Sequence, residues 1–441
     1  MKKQFLCALL AALFTAGVSV GGSHTQTSPI IQIKPDQALV DEAVKIRLAG
    51  LAPKQHVTLK ASMTDNRGHM WQSSAEFDAD QKGVVDLAGQ APAQGGYTGV
   101  DPMGLFWSMK MVSKPQAPGA ATHALLTPVV MKFELESEGK IVATANLTRL
   151  FIAPGVRFTD VTDDGLVARL YEPEKGGPHP LPHPGLIVLG GSEGGIASAE
   201  GQAAILASRG YAALAVAYFG MEGLPKNLVE VPLDYLKKAV DWMGKRNTGA
   251  RGRLGALGGS KGGELALLMA ARFPELKAVV AYVPSNVVWA GIGGNGSSWS
   301  YQGKPLPYAP YGKIPAGQPF TVGRLYVAGL ENKEAVAEAS IPVERANGPV
   351  LLISGKDDQL WPSSLMAEMI MARLKERKHK HKFESLSYEG AGHAISYRYW
   401  PTTHTIGSGS MALGGAPEAN AKAQADSWPK VLRFLKVALG N

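Results

Sequence analysis

Ser260 lies in a short glycine-rich motif that is typical of a catalytic nucleophile. It lies in residues 258–262, Gly-Gly-Ser-Lys-Gly, which match G-x-S-x-G, the pattern of a nucleophile elbow between a strand and a helix. Such a turn needs glycines because the serine takes a strained backbone conformation and the neighbouring chain approaches it closely. Residues 254–257 are apolar and typical of a strand, and residues 264–271 carry an apolar helical face. These flanks favour the elbow over a glycine-rich turn with no chemistry.

A serine hydroxyl needs a base to take its proton, and His393 is the predicted base. Residues 383–388 read as a strand, and the glycine-rich loop 389–392 ends directly before this histidine. In proteins with a nucleophile elbow of this kind, the catalytic residues are expected in the chain order serine, acid, histidine. His404 is the other histidine that follows the acid in a loop. The strand before His393 favours it as the base.

The base in turn needs a carboxylate to fix its tautomer, and Asp358 is the predicted acid. Residues 350–354 read as a buried strand that ends in a glycine turn, after which Asp357 and Asp358 follow. The spacing from the glycine favours Asp358, and Asp357 remains a close rival. The carboxylate that is not used would cap the helix predicted over residues 364–377.

Acyl transfer also requires two N–H donors aimed at the oxyanion that forms on the substrate. The first predicted donor is the backbone N–H of Lys261, the residue after the nucleophile. The second is predicted in the glycine-rich run 189–195, at Ser192, or at Gly191 or Glu193 beside it. This run lacks the Lys-Ser/Thr ending of a P-loop and the glycine spacing of a dinucleotide site.

Strands and helices alternate through the second part of the chain. The predicted strands are 166–171, 186–189, 212–217, 254–257, 278–283, 350–354 and 383–388, and the predicted helices are 197–209, 228–246, 262–272, 364–377 and 420–439. This alternation predicts a mostly parallel sheet covered by helices on both faces. Residues 285–347 interrupt it with a long insertion rich in glycine, proline and aromatic residues. We expect this insertion to cap the serine and help form the substrate pocket, the alternative being a solvent-facing excursion.

The first part of the chain has a different pattern. Between residues 29 and 155 the chain shows short alternating segments separated by turn signals such as Asn-Arg-Gly at 66–68 and Gln-Lys-Gly at 81–83. Strands of this length and spacing are typical of an antiparallel β-sandwich. The fold class is therefore predicted as α/β, with a β-sandwich domain at 29–155 and a catalytic domain at 160–441.

Composition limits the other possibilities. The 441 residues suffice for two or three domains, and the 45% hydrophobic content is that of a globular protein. The net charge of +8 is spread along the chain. Its densest cluster, residues 375–382, ends a predicted helix, so a nucleic-acid partner is not expected.

The N-terminus predicts export. Residues 1–23 combine Lys2 and Lys3 with an apolar core and then small residues, the layout of a secretory signal peptide, with an N-terminal membrane anchor as the alternative. The one cysteine, Cys7, lies inside this segment. The mature chain would therefore hold no disulfide, cysteine nucleophile or thiolate metal site, and no other stretch is apolar enough to cross a membrane. Its histidines and carboxylates show no ligand spacing that indicates a metal, and no cofactor is expected.

From about residue 39 onward the chain resembles the family of acyl-CoA thioesterases and bile-acid-CoA:amino-acid N-acyltransferases. Members combine an N-terminal β-sandwich with an α/β-hydrolase domain. In the first domain the resemblance rests on residues 41–42, 50–53, 57–59 and 101–108, and in the second on residues 224–225, 258–265, 341–345, 355–358, 392–393 and 414–417.

The resemblance implies a triad of Ser260, Asp358 and His393 and hydrolysis of fatty acyl-CoA. Conjugating members carry cysteine as nucleophile, so serine implies that water resolves the acyl-enzyme. Export sets this chain apart from the familiar intracellular members. Coenzyme A should be scarce outside the inner membrane, so the physiological donor could be another thioester, ester or amide. Acyl transfer to an amine or alcohol, and a non-catalytic exported protein that binds lipid or glycan, are the alternatives.

Overall fold

The computed structural model describes Met1 and residues 28–113, 126–179, 181–246, 253–396 and 399–440. Apart from Met1, the predicted signal peptide lies outside these ranges. Every helix in the described part of the chain is too short or too polar for a bilayer crossing.

Two β-sheets pack against each other in the first part of the chain. Their strands are β1 (Ile30–Lys34), β2 (Gln37–Leu39), β3 (Lys45–Ala49), β4 (His56–Thr64), β5 (Met70–Asp78), β6 (Val85–Asp86), β7 (Gln94–Gly95), β8 (Lys110–Ser113), β9 (Val129–Ser137) and β10 (Lys140–Leu150), with one short helix, α1 (Gly104–Trp107). The small sheet has the order β1-β3-β6 and the large one β2-β10-β9-β4-β5-β7, with β8 also on β5. Apart from the parallel pair β2 and β10, neighbouring strands are antiparallel.

Alternation along the strands explains this architecture. In β4, Val57, Leu59, Ala61 and Met63 are buried, while the residues between them are not. Since successive side chains of a strand point to opposite faces, this pattern puts one face of the sheet on the core. The predicted β-sandwich is the observed first half of the fold.

The second part of the chain supplies the remaining elements. They are β11 (Val156–Val161), β12 (Ala168–Pro173), β13 (Gly185–Leu189), β14 (Ala212–Val216), β15 (Val231–Pro232), β16 (Leu254–Gly259), β17 (Leu276–Tyr282), β18 (Trp299–Tyr301), β19 (Lys304–Pro305), β20 (Val350–Gly355) and β21 (Phe383–Tyr388). The helices are α2 (Ala197–Ala207), α3 (Leu233–Arg246), α4 (Lys261–Arg272), α5 (Val322–Gly329), α6 (Lys333–Ala339), α7 (Ser363–Glu376) and α8 (Pro417–Leu439).

Eight of these strands form one sheet in the order β11-β12-β14-β13-β16-β17-β20-β21. β12 is antiparallel to both of its neighbours, and the pairs from β14 to β21 are parallel. Strands β13 and β14 are buried at every position, as expected for a parallel sheet with helices on both faces. The predicted α/β fold with a β-sandwich domain is confirmed. The edge strand β11 was not predicted, because four of its six residues are exposed and it carries no alternating apolar pattern.

The two parts of the chain share a buried interface. The Asp41 carboxylate accepts hydrogen bonds from Arg209 Nη2 at 2.6 Å, from Arg209 Nε at 3.1 Å and from Trp428 Nε1 at 2.8 Å. Asp41 is fully buried. A single hydrophobic cluster runs from the sandwich strands into the helical layer that contains α2 and α8. The sandwich is therefore packed as a fixed wall against the hydrolase-like part.

Candidate active site

Ser260 sits at a strained turn between β16 and α4. Its backbone has φ 58° and ψ −124°, a conformation that side-chain-bearing residues rarely adopt. Such a residue costs about 1–3 kcal/mol and persists only where its surroundings enforce it. Here the Ser260 N–H donates to the carbonyl oxygen of Tyr282 at 3.0 Å, and the Ser260 carbonyl accepts from the N–H of Glu264 at 3.0 Å. The turn is thus fixed by the next strand and by the first turn of the helix.

The glycines around the serine are required by close backbone contacts. A β-carbon on Gly258 would lie 2.2 Å from the carbonyl oxygen of Gly262. One on Gly262 would lie 2.2 Å from the carbonyl oxygen of Gly190, in the loop that follows β13. Neither contact could be relieved without moving the backbone, so the motif holds the serine against this loop.

Asp358 and His393 meet at the edge of the sheet beside Ser260. The Oδ2 atom of Asp358 lies 2.9 Å from Nδ1 of His393. The carboxylate is fully buried, and the side chain of His393 is 10% exposed. Because an ionised carboxylate can only accept, this contact favours the tautomer of His393 with its proton on Nδ1 and a lone pair on Nε2.

The carboxylate of Asp358 is held by three further donors. Its Oδ1 accepts from the N–H groups of Leu360 at 3.0 Å and Trp361 at 3.2 Å, and its Oδ2 accepts from the Ser363 hydroxyl at 2.6 Å. The rival carboxylate, Asp357, instead accepts from the N–H of Gly415 at 3.0 Å. The structure therefore pairs His393 with Asp358.

Two further contacts help to fix the position of His393. Its backbone N–H donates to the carbonyl of Leu413 at 2.7 Å, and its ring meets Trp361 edge-on with 5.8 Å between centroids. Nε2 is buried and has no hydrogen-bond partner among the described residues. Ser260 and His393 line the same cavity. Nε2 is thus the unengaged basic atom of the pair.

A cavity of about 380 Å³, here called the serine cavity, opens at Ser260. Its other lining residues include Gly191, Glu193, Val283, Ile395, Trp400 and Pro401. The sequence predicts that residues 285–347 cap the serine, and none of the described residues that line this cavity comes from that insertion. Ile395, Trp400 and Pro401, from the chain between β21 and α8, line part of its wall.

Two tryptophans of the insertion contact a buried ion pair. Lys261 Nζ lies 2.8 and 3.0 Å from the two carboxylate oxygens of Glu264, and both side chains are inaccessible to solvent. Glu264 Oε1 also accepts from the N–H of Trp289 at 3.2 Å and from Nε1 of Trp299 at 2.7 Å. Desolvation raises the pKa of Glu264 and lowers that of Lys261, and their mutual attraction opposes both shifts. The insertion's tryptophans pack here, behind the elbow.

The predicted oxyanion donors are only partly brought together. Lys261 begins α4 directly after the serine. In the other loop, Gly191 and Glu193 line the serine cavity, and Ser192 is exposed and does not. A β-carbon on Gly191 would lie 3.5 Å from that of Ser260, but the Gly191 N–H donates to Glu193 Oε1 at 3.0 Å. The structure places Gly191, rather than Ser192, next to the serine.

Two parts of the site were not found from sequence. The Lys261–Glu264 pair has the i, i+3 spacing of helix neighbours, a signal that would have predicted the contact but not its burial. The approach of Ile395, Trp400 and Pro401 to the cavity follows from no sequence motif. No group of three or more His, Cys, Asp or Glu side chains in the described ranges is arranged to hold a metal ion.

A nucleophile elbow, an Asp–His pair and an eight-stranded mostly parallel sheet define the α/β-hydrolase class. Comparison with known proteins narrows this class. The profile "Acyl-CoA thioester hydrolase/BAAT N-terminal region" matches residues 41–163, and "BAAT / Acyl-CoA thioester hydrolase C terminal" matches residues 231–441. A third profile, "X-Pro dipeptidyl-peptidase (S15 family)", matches residues 137–312.

Curated relatives agree with these profiles. The mouse protein "Acyl-coenzyme A thioesterase 2, mitochondrial" is 33% identical over 96% of this chain and 93% of its own length. The human protein "Acyl-coenzyme A thioesterase 1" is 33% identical over 91% of this chain and 94% of its own length. The chain therefore belongs to the acyl-CoA thioester hydrolase/BAAT family, and the predictions of this family and of an enzyme are confirmed.

Among solved structures, a puromycin-hydrolysing peptidase from Mycobacterium tuberculosis is similar, with 15% sequence identity and a TM-score of 0.45. The match covers 89% of this chain and 54% of that one.

Proposed function

We propose that this chain hydrolyses acyl thioesters, with fatty acyl-CoA as the leading substrate class, through an acyl-enzyme on Ser260. The observation that carries the proposal is the 2.9 Å contact between buried Asp358 and His393, whose Nε2 is unengaged in the cavity that also exposes Ser260. Full-length relatives that are named acyl-coenzyme A thioesterases support the choice of a thioester.

In the first half of the reaction, Ser260 Oγ attacks the carbonyl carbon of the thioester while its proton passes to His393 Nε2. The carbonyl oxygen becomes an oxyanion that the Lys261 N–H and a second donor from the loop after β13 stabilise. Collapse of this intermediate breaks the carbon–sulfur bond. The leaving sulfur takes the proton from Nε2, which gives a thiol and an ester on Ser260.

In the second half, His393 takes a proton from water, and the resulting hydroxide attacks the ester carbonyl. The second tetrahedral intermediate collapses, the proton on Nε2 returns to Ser260 Oγ, and the carboxylic acid leaves. Asp358 remains ionised throughout and holds the imidazole in the required tautomer.

The second oxyanion donor is the least formed part of this mechanism. The Gly191 N–H is engaged by Glu193 Oε1 at 3.0 Å. We propose that the bound carbonyl oxygen either displaces this carboxylate or uses the N–H of Ser192. The same oxygen of Glu193 also accepts from the hydroxyl of Ser198, so two donors hold this carboxylate before a substrate binds.

The test is turnover of octanoyl-CoA by the purified protein beside its Ser260→Ala variant. We expect kcat to fall by several orders of magnitude, to the residual rate that binding and the oxyanion donors supply. A fluorophosphonate probe should label the wild-type protein on Ser260 and leave the variant unlabelled. Equal turnover in both proteins, or labelling at another residue, would contradict the proposal.

We also propose that the protein is exported. The support is the basic, apolar and small-residue order of residues 1–23. Expression of the full-length chain in a bacterial host, followed by fractionation and N-terminal sequencing, tests this. Full-length protein that stays in the cytosol would contradict it.

A further inference from the structure

A second cavity, here called the interdomain groove, continues the serine cavity toward the β-sandwich. It has a volume of about 470 Å³ and shares Ser198, Gln202, Ser396, Trp400 and His404 with the serine cavity. The opposite wall of the groove comes from the sandwich and includes Asn66, Arg67, His69, Trp71, Met111 and Phe151. A substrate at Ser260 that is longer than the serine cavity can therefore extend between the two domains.

Arg67 gives the groove a fixed positive charge. Among the described residues that line the groove, Arg67 is the one Lys, Arg, Asp or Glu. Its guanidinium makes no hydrogen bond or ion pair with the described residues. An unengaged guanidinium presents several N–H donors that match the oxygens of a phosphate.

The turn that carries Arg67 is rigid because Asp65 organises it. Asp65 Oδ1 accepts from the N–H groups of Arg67 and His69 at 2.9 Å each. Its Oδ2 accepts from His69 Nδ1 at 3.0 Å and from Trp71 Nε1 at 2.9 Å. The carboxylate nearest in sequence to Arg67 is thus already engaged, and Arg67 remains available to a ligand.

Gln202 provides a second unengaged group where the two cavities join. Its Oε1 atom is buried and has no hydrogen-bond partner among the described residues. A buried amide oxygen without a partner is unfavourable, and a donor on a ligand would satisfy it. An N–H group of the ligand would supply that donor at this point.

We propose that the interdomain groove holds the leaving thiol of the proposed acyl-CoA substrate, with Arg67 and Gln202 as the residues that recognise its phosphates and its amide-containing arm. Gln202 accepts from an amide N–H of the arm, Trp71 and Trp400 flank its apolar part, and Arg67 binds a phosphate. An unsubstituted acyl chain would leave both Arg67 and Gln202 unengaged. This inference rests on the proposed function and specifies which half of the substrate lies against the sandwich.

The experiment compares octanoyl-CoA with octanoyl-pantetheine, which has the same thioester and amide arm but no phosphate. Arg67→Ala should raise KM for octanoyl-CoA about five-fold, the effect of losing a partly exposed charge pair. It should leave kcat unchanged, because the contact is equal in the ground and transition states. Octanoyl-pantetheine should show no change. Arg67→Lys should retain part of the affinity, and 0.5 M salt should remove the difference between wild type and Arg67→Ala.

Lys140→Ala is the matched control, since Lys140 is an exposed cation of the same domain and does not line the groove. Gln202→Leu should raise KM for both thioesters, because both carry the amide arm. Equal effects of Arg67→Ala on octanoyl-CoA and octanoyl-pantetheine, or no effect on either, would overturn the assignment.

Calorimetric binding of octanoyl-CoA and octanoyl-pantetheine to Ser260→Ala protein, with and without Arg67→Ala, separates the two proposals. If Ser260→Ala loses turnover but Arg67→Ala does not weaken binding of octanoyl-CoA, the assignment of the groove is refuted and the proposed function is left intact. Phosphate-dependent binding through Arg67 together with turnover unaffected by Ser260→Ala refutes the proposed function and supports the groove.

Discussion

Asp358 and Glu264 are two fully buried carboxylates near Ser260, and each is paired with a basic side chain. Asp358 accepts from His393, two N–H groups and a hydroxyl, and Glu264 accepts from Lys261, one N–H group and an indole. They differ in what the basic partner can still reach. His393 lines the serine cavity, and its Nε2 atom has no hydrogen-bond partner among the described residues. The side chain of Lys261 is inaccessible to solvent. A buried ion pair becomes chemically useful only where one partner retains a basic atom toward the substrate.

The comparison predicts that substituting Asp358 lowers the catalytic rate, whereas substituting Glu264 lowers the stability of the fold. Asp358→Asn should lower kcat by about 10⁴-fold with little change in stability, because the amide would favour the wrong tautomer of His393. The matched control is Asp357→Asn, which removes a carboxylate bound to Gly415 and should keep kcat within a few-fold. Steady-state kinetics on octanoyl-CoA measures both. Comparable losses in the two variants would contradict the assignment of the acid.

Glu264→Gln should act on stability. Removing one partner of a buried pair leaves Lys261 charged and unpaired, which costs about 3–5 kcal/mol of unfolding free energy. Urea denaturation measures this loss. Glu418→Gln, which breaks the exposed pair with Lys422, should cost under about 1 kcal/mol. A variant of Glu264 that keeps its stability but loses kcat would show that this carboxylate acts in the chemistry.

A second substitution sharpens this result. Lys261→Met in the Glu264→Gln background removes the unpaired charge, while the glutamine oxygen can still accept from Trp289 and Trp299. We expect the double variant to recover about 2 kcal/mol relative to Glu264→Gln, since unpaired buried charge is the main cost. Further destabilisation by the second change would show that the aliphatic part of Lys261 matters more than its charge.

Asp65 is a partly buried carboxylate that extends the comparison, and its substitution has the smallest expected effect. Desolvation raises its pKa, but the donors on Trp71, His69 and Arg67 outweigh this and hold the pKa below 3.8. Because the folded-state pKa is depressed, the stability it contributes is present above about pH 3.8 and is lost as the pH falls through the folded value. Asp65→Asn should therefore cost about 1–2 kcal/mol at pH 7. The difference in unfolding free energy between wild type and Asp65→Asn should become smaller below pH 3.8. A difference that does not change with pH would contradict this prediction.

The site was predictable wherever its residues belong to a local pattern. Ser260 follows from a strand, a glycine turn and a helix that are adjacent in sequence, and His393 from its place after β21. The choice between Asp358 and Asp357 depends on which side chain faces His393. That direction is set by the N–H groups of Leu360 and Trp361, which no spacing rule encodes.

The remaining parts depend on tertiary contacts. Trp289 and Trp299, within residues 285–347, donate to the buried carboxylate of Glu264, whereas sequence alone reads these aromatic residues as part of a substrate pocket. The sequence predicts the second oxyanion donor at Ser192, or at Gly191 or Glu193 beside it, and the path of that loop brings Gly191 next to the serine. β11 joins the sheet as an exposed edge, where burial leaves no pattern in the sequence.

The most direct test of the account is a rapid-quench experiment with octanoyl-CoA, followed by mass spectrometry of the peptide that contains Ser260. The account predicts that this peptide gains the mass of one octanoyl group during turnover. Turnover without any acylated Ser260, or an octanoyl group on a different side chain, would contradict it.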